Sequence, residues 1–399
     1  MTSEQDNAGS APATRSNAGR KIVNLALQGG GSHGAFTWGV LDRLLEESSL
    51  EFEGVTGTSA GAVNAVVLAD GLAAGGREGA REALRVYWKK LSALSAKSPL
   101  APSFIDKVNP AHGLEHSLGF IFLEPMTYFA SPYQLNPLNF NPFRDLLVQT
   151  IDFERVRKQA AVKLFLSATD VQTAKVKIFY GKEIGVSHLL ASTCLPLLMQ
   201  AVEISGEFYW DGAYSGNPAL FPLLYDCETP DILMVHITPA ERPGVPTTSP
   251  AIMNRMQEIS FNTALIREMR TIAYLNKQID DGRLGGRRLL VHLIEAEDLI
   301  RGFSWSSRLN SDWDFLLHLR EMGRMRADQW LAANFDASAR IRRSISTKSI
   351  FDRGAIVTPA PFRAQAAFTL SCIASCRLPS SLAAQRGCLN FTSPCVFGR

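Results

Sequence analysis

Apolar positions along the chain fall into two spacings. Ile22–Leu27 is a short run rich in β-forming residues and is stopped by three glycines, which predicts a buried strand. From Ser32 to Glu47 the apolar residues stand at Phe36, Val40, Leu41, Leu44 and Leu45, one face of a helix. Phe52–Thr56 predicts a second strand, ended by Gly57-Thr58-Ser59-Ala60-Gly61, and Ala62–Asp70 returns to the helical spacing. Strand, helix, strand and helix in this order predict a βαβ unit, hence a parallel sheet covered by helices. Further strands are expected at Val162–Ala168, Lys175–Tyr180, Asp231–Ile237 and Arg288–Ile294. Further helices are expected at Arg77–Leu94, Ser187–Cys194, Ile252–Asp281 and Asp312–Asn334, and no internal repeat is visible.

Three stretches break this rhythm. Residues 1–20 are polar and small and read as a disordered leader; Glu4, Asp6 and the lack of an apolar core exclude a secretory signal. Phe104–Phe143 holds eight aromatics and four charged residues, and Pro110, Pro125, Pro132, Pro137 and Pro142 are expected to break any long element. It reads either as a lid or lipid-facing insertion, or as an insertion whose aromatics pack on the body. Beyond Asp336 the periodicity fades, so 337–399 is expected to be a poorly ordered tail, leaving a working domain over 21–336.

Composition narrows the class. At 399 residues, 46% hydrophobic and 20% charged, the chain can bury a full core. The net charge of +3 is carried by the tail: Arg353–Arg399 contains five Arg and no acid, which leaves the body slightly negative and disfavours nucleic-acid partners. Six cysteines, four of them in the tail (Cys372, Cys376, Cys388, Cys395), fit neither a disulfide scaffold nor a zinc spacing. With no run of apolar residues long enough to span a bilayer, a soluble, cytoplasmic protein is expected.

The chemistry concentrates in three places. Gly57-Thr58-Ser59-Ala60-Gly61 matches G-x-S-x-G between a strand and a helix, a sharp turn that presents Ser59 at the strand's end. Gly57 and Gly61 provide room for the crowded backbone, and the following helix points free amides at any anion formed there. Gly29-Gly30-Gly31-Ser32-His33-Gly34 ends the first strand, and three glycines in a row suit an oxyanion hole. The same segment fits G-x-G-x-x-G, but the second strand ends in Gly57-Thr58-Ser59 rather than the acid a dinucleotide site needs. A phosphate loop needs G-K-[ST], and Ala35 follows Gly34. Asp211-Gly212 follows Glu207–Trp210, which is expected to be a strand end, and an acid there could take the serine proton directly, although a D-G pair is by itself a turn signal. A Ser–acid–His arrangement would instead draw on His236 or His292, both inside apolar strand-like runs that suit core histidines better.

Taken together, these segments resemble the patatin-like phospholipase family: a strand ending in GGG-x-x-G, a G-x-S-x-G elbow some 25 residues on, and a downstream D-G. Ser167-Ala168-Thr169-Asp170 and Ala191-Ser192-Thr193-Cys194-Leu195-Pro196 look like the same family. The resemblance implies an α/β fold, a three-layer α/β/α domain with a mainly parallel central sheet. It also implies a hydrolase of lipid acyl esters, phospholipase A-like, using a Ser59–Asp211 dyad without catalytic histidine, metal or cofactor. Gly29, Gly30 and Gly31 would supply the oxyanion amides, with Gly34, Gly57, Gly61 and Gly212 supporting the motifs. Its partners would be a lipid or acyl-ester substrate and a membrane or lipid surface touched peripherally. Storage polyesters or neutral lipids would suit the same dyad, and a non-catalytic lipid-binding protein would keep the pocket alone. Relatives often carry Arg or Lys where His33 stands, which predicts a charge near the oxyanion site that depends on pH.

Overall fold

The computed structural model describes residues 20–159 and 161–334. The chain divides into two units, Met1–Arg353 and Gly354–Arg399, and the described residues all belong to the first. The expected leader, and the tail with its four cysteines, lie outside the described residues.

The strands are β1 (Lys21–Leu27), β2 (Leu50–Thr58), β3 (Lys163–Asp170), β4 (Val176–Tyr180), β5 (Val202–Ile204), β6 (Glu207–Asp211), β7 (Asp231–His236) and β8 (Leu290–Glu295). The helices are α1 (Gly34–Leu44), α2 (Ala60–Ser95), α3 (Phe104–Val108), α4 (Leu118–Phe129), α5 (Pro132–Leu135), α6 (Pro142–Thr150), α7 (Phe153–Lys158), α8 (Val186–Ser192), α9 (Phe221–Asp226), α10 (Ser249–Asp280), α11 (Glu297–Ile300) and α12 (Trp313–Asn334). The two helices expected on either side of residue 75 run together as α2, with a kink at Gly75-Gly76 where Gly76 takes φ +60°. Residues 104–143 fold as short pieces (α3, α4, α5 and the start of α6), so the prolines keep every element short as expected, although Pro125 sits inside α4. Pro125 costs α4 one backbone bond, to the carbonyl of Ile121, on a side of the helix that is exposed. Short side-chain caps start these helices, with Ser117 accepting from Phe120 N and Asn141 from Arg144 N.

All eight strands form one sheet in the order β5-β6-β3-β2-β1-β7-β8, with β4 also paired to β3. The run β3-β2-β1-β7-β8 is parallel, while β4, β5 and β6 join antiparallel. Central strands are buried on both faces, as a sheet between two helical layers requires. Val23, Leu25 and Leu27 of β1 join the larger core under α1, α2 and α12, while Ala26 faces the smaller core with Leu265, Met269 and Ile272 of α10 and Leu223 of α9. The expected three-layer α/β/α architecture is therefore present, its parallel core extended by antiparallel strands.

Register then decides what meets at the strand ends. Along one edge of β3, Ser167 pairs with Thr58 of β2 and the next residue, Ala168, pairs with Asp211 of β6. Both partners lie on the same edge, because Ser167 and Ala168 each pair with β4 on the other. β2 and β6 thus meet end to end along β3, and Ser59 emerges beside Asp211. On the other side of β2, Leu27 pairs with Gly57, so the loop after β1 leaves level with the serine turn.

Candidate active site

Ser59 sits at the turn between β2 and α2 with φ 53° and ψ −123°, a conformation costly for a residue with a side chain. The surroundings hold it there. Its amide donates to Ser192 Oγ at 3.1 Å, and the Ser192 hydroxyl donates to Ser167 O at 2.7 Å. The turn is too crowded for side chains: a Cβ on Gly61 would come within 2.1 Å of Leu27 O, and one on Gly29 within 2.7 Å of Ser59 Cβ. Gly34, Gly57 and Gly212 meet equally close neighbours, namely Ala60, the Gly61 carbonyl and the Ser167 carbonyl.

Ser59 Oγ donates to Asp211 Oδ2 at 2.7 Å. Asp211 is 1% exposed; its Oδ1 accepts from Ala213 N at 2.8 Å, and its own amide donates to Cys194 O at 2.8 Å. Burial pushes its carboxyl up to about 7, against the opposing hydrogen bonds from Ser59 and Ala213. A carboxylate with that balance ionises near neutrality and touches a hydroxyl, which is what a direct general base requires. Cys194, beside it, has its thiol pushed up to about 12 by burial and the nearby Asp211 charge.

The glycine loop divides its roles. The Gly29 amide donates to Asn217 Oδ1 at 2.7 Å, so the expectation that it supplies an oxyanion donor is corrected: that N–H is already used to pin the loop. Gly30 and Gly31 line the cavity in front of Ser59, and neither amide has an acceptor among the described residues. Gln28 locks the loop from behind, with Nε2 donating to Asn262 Oδ1 and Oε1 accepting from Ile237 N and Thr238 N.

His33 does not behave as a pH-dependent charge. Burial first, then the nearby Arg308 charge, hold it well below the usual histidine range, among Phe303, Phe315 and the Ser307 hydroxyl at 2.8 Å. It is neutral at ordinary pH. His236 bonds to Asn262 Oδ1 at 3.1 Å and His292 to Asp231 Oδ1 at 2.8 Å, and among the described residues no histidine lines the Ser59 cavity.

The cavity, of about 170 Å³, is mostly apolar. Ser59, Asp211, Gly30 and Gly31 form its floor; Leu195–Leu198, Met253 and Phe261 of α10, and Trp305 form its walls. α4 contributes Phe120, Leu123, Glu124 and Thr127. Phe120 is buried, but Phe104, Phe122, Phe129 and Phe140 of the same insertion are exposed, Phe129 by 90%. The reading in which the insertion's aromatics merely pack on the body thus holds for Phe120 and fails for these four.

Sequence reasoning missed Asn217, Gln28 and Arg308, whose roles come from long-range contacts; Ser192 was visible only as part of a family-like stretch. Among the described residues no group of three or more His, Cys, Asp or Glu is placed to hold a metal ion, and no helix is long and apolar enough to cross a membrane.

Comparison with known proteins adds three findings. The family model described as Patatin-like phospholipase matches residues 25–224. No curated protein matches the chain. Among solved structures, VipD from Legionella pneumophila is similar at 12% identity and a TM-score of 0.39, over 78% of this chain and 67% of that one. ExoU in its heterodimeric complex with SpcU, from the type III secretion system of Pseudomonas aeruginosa, is similar at 12% identity and a TM-score of 0.35, over 79% of this chain and 52% of ExoU. The chain therefore spans about two thirds of VipD's length and about half of ExoU's.

Proposed function

The chain belongs to the patatin-like phospholipase family and is a lipid-hydrolysing enzyme, and from that premise we propose that it is a serine acyl hydrolase working through a Ser59–Asp211 dyad. The observation that carries this reading is the 2.7 Å hydrogen bond from Ser59 Oγ to a buried carboxylate that ionises near neutral pH. Asp211 takes the Ser59 proton as Oγ bonds to the ester carbonyl carbon. The carbonyl π electrons move onto oxygen, and the amides of Gly30 and Gly31 hold the resulting oxyanion. One such donor is typically worth about 3–4 kcal/mol. Collapse of the intermediate breaks the bond to the leaving alkoxide, which takes the proton back from Asp211. Water then gives a proton to Asp211 and its oxygen to the acyl carbon. The fatty acid leaves, and the proton returns to Ser59. The unpaired first-turn amides of α2, which starts at Ala60, add favourable potential beside the developing charge.

The exposed aromatics on the 104–143 insertion support a lipid-facing role for it. α4 walls the cavity on one side and offers Leu118 and Phe122 to solvent on another, so the segment that would meet a bilayer also borders the route to Ser59. Hydrolysis of a p-nitrophenyl acyl ester and labelling by a fluorophosphonate test the dyad. Wild type is expected to do both, Ser59→Ala neither, and Asp211→Asn to lose nearly all hydrolysis. Full activity in either variant overturns the reading; wild type that is never labelled points instead to a lipid-binding protein.

A further inference from the structure

The cavity wall carries a cation that the sequence motifs do not account for. Arg308 lies in the short 3-10 turn Trp305–Leu309, seated against the glycine loop: a Cβ on Gly31, which takes φ +61°, would come within 2.3 Å of the Arg308 carbonyl. The side chain is 13% exposed, and its buried Nη1 has no hydrogen-bond partner. A guanidinium stays charged in a protein, so Arg308, which lines the cavity, brings a positive charge to whatever occupies it.

The counter-charge nearby is already shared. Arg308 Nη2 lies 3.6 Å from Glu258 Oε1, but Glu258 is fully buried and also held by Arg242 at 2.9 Å and Arg255 at 3.1 Å. One carboxylate therefore faces three guanidiniums, and the cluster stays net positive beside the cavity. Asn254, on the same wall, has a buried Oδ1 without a partner. Among the described residues, the acids that line the cavity are Asp211 on its floor and Glu124 of α4, both shifted upward by burial. With His33 neutral, Arg308 is the cation at the loop.

We propose that Arg308 is a specificity-determining residue that binds the phosphodiester of a glycerophospholipid while the lipid's ester carbonyl lies at Ser59. This rests on Ser59 being the nucleophile. In such a lipid the phosphate is only a few bonds from the ester, so one cavity can hold both. A guanidinium is a fixed positive charge and donor suited to phosphate oxygens. A neutral acylglycerol offers that charge no counter-ion and would bind less well.

Monomeric dihexanoylphosphatidylcholine and dihexanoylglycerol share their acyl esters and differ at the phosphate. Wild type is expected to favour the phospholipid in kcat/KM by about tenfold or more, and Arg308→Gln to cut that ratio roughly ten- to a hundredfold, chiefly through KM. Arg308→Lys, which keeps the charge but loses the fork, should recover part of it. A wild type without preference, or an Arg308→Gln ratio equal to wild type, overturns the proposal. Should Arg308→Gln fail to fold, as judged by its thermal transition, the wild-type ratio and Arg308→Lys decide. Inorganic phosphate is run as a competitor in the neutral-lipid assay: strong inhibition without phospholipid preference assigns Arg308 to free phosphate and also overturns it. Hydrolysis that persists in Ser59→Ala would instead sink the dyad itself, an outcome distinct from any change in the ratio.

Discussion

Replacing Asp211 by Asn removes one charge from a site that is 1% exposed and leaves the shape intact. Burial raises this carboxyl from 3.8 to about 7, so between those values the folded chain holds a proton that the unfolded chain has lost. Wild-type stability therefore falls as pH rises through that window, by about 1.4 kcal/mol per unit, and levels off above 7. Across the whole window the ionised carboxylate costs the fold about 4 kcal/mol. Asn still offers an oxygen to the Ala213 amide and has no charge to desolvate. Asp211→Asn should thus match wild type near pH 4 and exceed it by up to about 4 kcal/mol at pH 8, while losing hydrolysis. Urea denaturation of both proteins from pH 4 to 9, followed by tryptophan fluorescence, measures the gap. A constant gap across that range would refute the argument, because it would mean that Asp211 ionises in the folded chain as it does in the unfolded one.

The same carboxylate must be ionised to accept a proton, so kcat/KM for a neutral ester should rise with pH along a limb centred near 7; a limb near 4 would contradict this. Ser59→Gly should relieve the φ 53° strain and gain about 1 kcal/mol in thermal or chemical denaturation, with no activity left. Gly29→Ala should push its methyl into Ser59 Cβ and lower kcat by about a hundredfold with little change in KM, read from steady-state kinetics. Phe122→Glu with Phe129→Glu should weaken co-sedimentation with phospholipid vesicles while leaving hydrolysis of a soluble ester near wild type; unchanged vesicle binding would remove the lipid-facing role of the insertion.

Features set by neighbours in the chain were legible without coordinates. The βαβ rhythm, the serine turn and the glycine loop each depend on residues a few positions apart, because turns and helix starts are closed by local backbone geometry. The parallel core followed from that rhythm, and the strand end at Glu207–Trp210 was legible too, but its antiparallel partner Val202–Ile204 was not, since a three-residue strand shows too little alternation to detect. The prolines of 104–143 keep its helices short, as their spacing predicts, but that α4 runs through Pro125 with one backbone bond lost on an exposed side was not legible.

What the chain alone determined was which groups could do chemistry: a serine on a tight turn, a carboxylate at a strand's end, and glycines with open amides. Tertiary structure decided which of them meet. β3 brings Asp211 to Ser59 by pairing with β2 and β6 in consecutive register, Asn217 takes the Gly29 amide, burial silences His33, and Arg308 comes to line the cavity. Those outcomes depend on distance through space and on the exclusion of water, and neither is written in the spacing of residues along a strand or a helix.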